Sequence, residues 1–140
     1  MPHPTPRELK RILAQRGFEI FRTTADEVVL ADRVRENLLM DSGVSARTHD
    51  GLSVRLTVRA EAAAFPGESE AELIARARRL AAAIDGYSEV ETRTVRIPDP
   101  GEPSRTLDTW YELCLERPVA DLDELESALR SALALERVAG

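Results

Sequence analysis

The chain is poor in the residues from which most enzyme and metal sites are built. Its only cysteine, Cys114, excludes an internal disulfide and suits a reducing compartment. The two histidines, His3 and His49, are far apart in sequence, and no cluster of metal ligands accompanies either, so no metal and no cofactor is expected. The scattered glycines form no phosphate-cradling loop. No stretch approaches the roughly 18 consecutive apolar residues of a membrane span. The opening segment Met1 to Pro6 lacks the apolar centre of a secretory signal. A soluble, cytoplasmic protein is the expectation. Aromatics are few as well, limited to Phe18, Phe21, Phe65, Tyr87, Trp110 and Tyr111, so aliphatic side chains must supply the core. Lysine is nearly absent: Lys10 is the only one among 19 basic residues. The net charge of −6 opposes nonspecific binding to nucleic acid or to an anionic membrane, because counterion release needs concentrated basic surface.

What is present is an ordinary globular composition, 43% hydrophobic and 31% charged, over 140 residues. This length suits one domain, residues 1–140, with a proline-rich tail over 1–5. Thr5, Pro6 and Glu8 make a helix start, and Leu9, Ile12 and Leu13 give the helix to Arg16 an apolar stripe that ends at Gly17. Phe18 to Arg22 and Glu27 to Ala31 read as a hairpin. Asp32 to Asp41 reads as a short helix capped by Asp32, with Ala31, Val34 and Leu38 on one face; the competing reading extends the strand through Arg35. Val44 to Thr48 pairs with Leu52 to Glu61 across His49-Asp50-Gly51. In that second strand Leu52, Val54, Leu56, Val58 and Ala60 alternate strictly with polar residues. Glu68 to Asp85 reads as a helix with acids in its first turn. Tyr87 to Ile97 and Arg105 to Glu116 read as long strands separated by a loop, Pro98 to Pro103. Pro118 should stop the second, and Asp121 or Asp123 should cap a final helix.

Hairpins in place of βαβ crossovers imply an α+β fold: two layers, an antiparallel sheet of about five to six strands with helices packed on one face. This order of elements, together with the acidic character, resembles the bacterial type III secretion chaperones across the whole chain as an element pattern, carried by no residue motif. The resemblance implies a dimer that holds a protein.

Function is less legible. Alternation puts Tyr111, Leu113 and Leu115 inward and Trp110, Glu112, Cys114 and Glu116 outward. An outward tryptophan is the best interface signal, since large aromatics enrich binding surfaces. Arg55 and Arg59 face outward on the other long strand, where they can pair with Asp108, Glu112 and Glu116. The leading expectation is a non-enzymatic protein-interaction module, a homodimer that binds a protein partner through Trp110, Glu112, Cys114, Arg55 and Arg59. The alternative is a small-molecule-binding or hydrolytic enzyme assembled from His49, Asp50 and Cys114, with a histidine oriented by a carboxylate. The acids at Glu68, Glu70 and Glu72 and at Asp121, Asp123 and Glu124 lie at helix starts, where capping and the helix dipole account for them.

Overall fold

A computed structural model describes residues 4–139; His3 and most of the proline-rich tail lie outside them. The elements are α1 (Pro6–Gln15), β1 (Ile20–Thr23), β2 (Glu27–Arg35), β3 (Leu38–Arg47), β4 (Leu52–Glu61), a short 3-10 turn (Ala62–Ala64), α2 (Glu70–Ala81), β5 (Ser88–Asp99), β6 (Glu102–Val119), α3 (Leu122–Ala134) and β7 (Val138–Ala139). The fold is α+β. Its strands form an open sheet in the order β1-β2-β3-β4-β6-β5, antiparallel apart from the two-residue β7, which adds parallel to β4.

The helix starts follow local chemistry. Thr5 and Glu8 form a reciprocal capping box on α1, and Ser69 and Glu72 form another on α2, each satisfying backbone N–H groups that a helix start leaves unpaired. The second box places the start of α2 at Glu70, two residues later than the sequence pattern suggests. Glu68 then lies before the helix and pairs with Arg76. Asp121, not Asp123, caps α3, accepting from the Glu124 amide at 2.8 Å.

The segment Asp32 to Asp41 corrects the sequence reading, because it is hairpin and not helix. Strands β2 and β3 pair across it, with Asp32 opposite Met40, Arg33 opposite Leu39 and Arg35 opposite Leu38. Neither Glu36 nor Asn37 at the tip has positive φ, so this is not one of the primed turns whose twist matches a hairpin. The register shift between Arg33 and Arg35 absorbs the mismatch. Of the residues read as one helical face, Ala31 is buried, whereas Val34 and Leu38 are exposed on the arm, as is Met40. The proline segment also differs. Pro98 falls inside β5 and Pro103 inside β6, leaving only Pro100-Gly101 as the turn, and β6 continues through Pro118 to Val119. Proline removes one donor, which a strand tolerates where that N–H would face no ladder partner.

Contacts divide the described residues into two compact units, one within 4–56 and 116–134, the other within 57–115 and 135–139. In the first, α1 lies against β1 and β2, and α3 against β3. Leu9, Leu13, Leu125 and Leu129 from the helices are buried, as are Val28, Leu30, Val44, Ala46, Val54 and Leu56 from the strands. The His49-Asp50-Gly51 turn closes β3 onto β4 with both Asp50 (φ 53°) and Gly51 (φ 108°) in left-handed backbone. In the second unit, Val58, Ala60, Leu73, Ala77, Ala81, Leu113 and Leu115 are buried, and α2 lies against β7.

Candidate functional site

Alternation along β4 turns its polar residues to one face, and β6 lies beside it. In the second unit this face carries Arg59 and Trp110 together. The Arg59 guanidinium carbon sits 3.8 Å from the Trp110 ring centroid, in cation–π contact. Both groups are tied at their far ends. Arg59 Nε donates to Glu61 at 2.9 Å, and its Nη2 lies 2.8 Å from the same carboxylate. Trp110 Nε1 donates to Asp108 at 2.9 Å, and Asp108 also accepts from the backbone amides of Ala63 and Thr109. Trp110 is therefore half-buried beneath a guanidinium. It does not present the bare apolar patch that alternation alone suggests, because the strand neighbour that alternation cannot identify supplies the cover.

The other residues singled out in the sequence are placed as follows. Glu112 faces Arg93 of β5 at 3.4 Å, and its side chain is 15% exposed. Cys114 is buried, 1% exposed, with its Sγ 3.7 Å from Thr57 Oγ1. Arg55 falls in the first unit and is half-buried; it reaches Glu116 at 3.2 Å. Glu116 also accepts from Ser53 at 2.8 Å and lies 3.6 Å from Arg47. Burial pushes the Glu116 carboxyl up, but hydrogen bonds from Ser53 and Arg55 and the charges of both arginines outweigh it and hold the group below the ordinary glutamate range. The Nε atoms of Arg47 and Arg55 are buried without a partner, so these guanidiniums depend on the bonds they make through their other nitrogens.

His49 is 68% and Asp50 91% exposed at the side chain, with Nε2 3.4 Å from Oδ2. That pair stands on a solvated turn. Among the described residues, no group of three histidine, cysteine, aspartate or glutamate side chains could hold a metal ion, and no helix is long and apolar enough to cross a membrane.

Glu61, which holds Arg59, was not singled out from the sequence, and Asp108, expected as a charge partner for the β4 arginines, instead accepts from the Trp110 indole. Asp108 lies two residues before Trp110 and shares its strand face, a signal that alternation contains. The partnership of β4 with β6, which brings Arg59 over the ring, is signalled in the sequence only by complementary charge, of which the Arg55–Glu116 pair is the part that forms. The chain matches no protein-family model, no curated protein and no solved structure.

Proposed function

We propose that this protein is a non-enzymatic interaction module, a cytoplasmic homodimer that docks a protein partner on the β4–β6 face around Arg59, Trp110 and Glu112. The observation that carries this reading is the Arg59–Trp110 stack, held at one end by Glu61 and at the other by Asp108. Tryptophan and arginine are the residue types most enriched where binding energy concentrates. Side chains already fixed lose less rotamer freedom on association, so a partner meets a rigid platform. The neighbouring Glu112–Arg93 pair adds polar contacts of the kind that set orientation more than affinity.

The test is affinity capture from the native cells with wild-type chain, Arg59→Ala and Trp110→Ala in parallel, each variant first checked for a native circular-dichroism spectrum. The wild type should retain one stoichiometric protein. Each substitution should weaken that association by about 2 kcal/mol, roughly thirtyfold. A partner held equally by folded variants would place the docking surface elsewhere.

A further inference from the structure

Among the described residues, strand β5 ends the strand order and pairs with β6 alone. Every residue from Ser88 to Thr94 is exposed, including Val90 at 47%. Such an edge is a template for another strand, and proteins usually blunt it with lysine, proline, a bulge or short length. This strand spans 12 residues, contains no lysine, and carries its one proline, Pro98, next to its end.

We propose that β5 pairs antiparallel with β5 of a second copy of this chain, in the register centred on Thr92, joining the two sheets across a two-fold axis. The pairing rests on the homodimer in the reading above; it shares Arg93 with the docking face through Glu112 but uses neither Arg59 nor Trp110.

Charge selects the register. A two-fold axis perpendicular to a sheet brings together residues of the same face, so the symmetric pairings are those centred on a single residue. Centred on Thr92, Glu91 stands opposite Arg93 of the second copy, and the symmetry repeats that contact. Thr92 then meets Thr92, and Val90 meets Thr94. Moving the centre to Arg93 sets arginine against arginine and Val90 against Arg96; moving it to Glu91 sets glutamate against glutamate. Opposite charges and Thr–Thr pairs directly across a sheet are favourable, and like charges are unfavourable.

The groups are held ready within one copy. Arg93 lies 3.4 Å from Glu112 and 3.9 Å from Glu91, on the same face of the strand, with half of its side chain exposed. Glu89, toward the start of β5, is fixed by Arg78 of α2 at 2.9 Å.

Sedimentation equilibrium of the full chain tests the pairing. Wild type should be dimeric. Glu91→Arg and Arg93→Glu should each weaken the dimer about tenfold or more, because each substitution creates two like-charge contacts per dimer. Mixing the two variants restores both opposite-charge contacts and should recover a heterodimer. Independently of charge, T92C should form a disulfide-linked dimer on mild oxidation, and S88C, which lies opposite Arg96 in this register, should not. A wild-type chain that stays monomeric at about 100 μM overturns this pairing and the homodimer reading with it. A wild-type dimer unaffected by Glu91→Arg and not linked by T92C overturns the β5 surface alone.

Discussion

Glu116→Gln isolates one charge in a half-buried cluster. The carboxylate accepts from Ser53 at 2.8 Å and Arg55 at 3.2 Å, with Arg47 at 3.6 Å, and none of the three charged side chains is more than 28% exposed. Glutamine keeps the shape and an acceptor for Ser53 but leaves two guanidiniums facing a neutral amide. A hydrogen bond to a charged group contributes about 1.5–3 kcal/mol, and the partial exposure of this cluster lowers that figure, so the substitution should cost about 2 kcal/mol at neutral pH. In urea melts this is a midpoint shift of about 1 M. The pH dependence distinguishes charge from packing. The folded carboxyl titrates below its ordinary value of 4.5, so its contribution is complete above that value and is lost as pH falls through the depressed one. Wild type and Glu116→Gln should therefore converge in stability as the pH falls below 4.5 and through the depressed value. The other acids titrate in both proteins and cancel in the difference. A gap that stays constant from neutral to acid pH would show that the charge contributes nothing and that the cluster is held by shape.

Three further outcomes follow from the packing. Leu56→Ala should cost about 2–5 kcal/mol by chemical denaturation, because Leu56 is fully buried opposite Val44; a cost below about 1 kcal/mol would mean that the strand's inward face is misassigned. Ser69→Ala should cost about 1 kcal/mol through loss of the α2 capping box, and Ser69→Asp, which keeps a side-chain acceptor, should retain most of that stability in the same melts. The Cys114 thiol, 1% exposed beside Thr57, should resist a thiol reagent in native protein and label fully in urea, and rapid native labelling would contradict its burial.

The sequence was most informative where one physical signal dominated. Strict alternation from Leu52 to Glu61 defined β4 and its buried face, the Thr5 cap of α1 was legible, and the start of α3 was narrowed to Asp121 or Asp123, whereas the Ser69 cap that starts α2 at Glu70 was missed among the surrounding acids. It misled over Asp32 to Asp41, where Val34 and Leu38 fit both a helical and an extended spacing; the pairing of the segment's own two arms, Asp32 to Arg35 with Leu38 to Met40, decided for the competing reading of a strand through Arg35. The prolines misled in another way. Pro98, Pro103 and Pro118 read as strand breakers, but a proline breaks a strand only where its missing N–H would have met a ladder acceptor. At the candidate site, alternation placed Trp110 and Arg59 on outward faces of their strands. It could not show that β4 and β6 are neighbours, and that adjacency turns an expected bare aromatic into one covered by a guanidinium.

Because Trp110 is the chain's single tryptophan, its fluorescence reports on the proposed docking face without labelling. The most direct measurement is acrylamide quenching of that fluorescence with and without a saturating amount of the captured partner, using a partner fragment or variant that contains no tryptophan. Docking over the Arg59–Trp110 stack predicts that the quenching constant falls severalfold in the complex, to that of a buried indole. An unchanged quenching constant at saturation would contradict the account, because the partner would then be bound while the half-exposed ring remained as open to solvent as before.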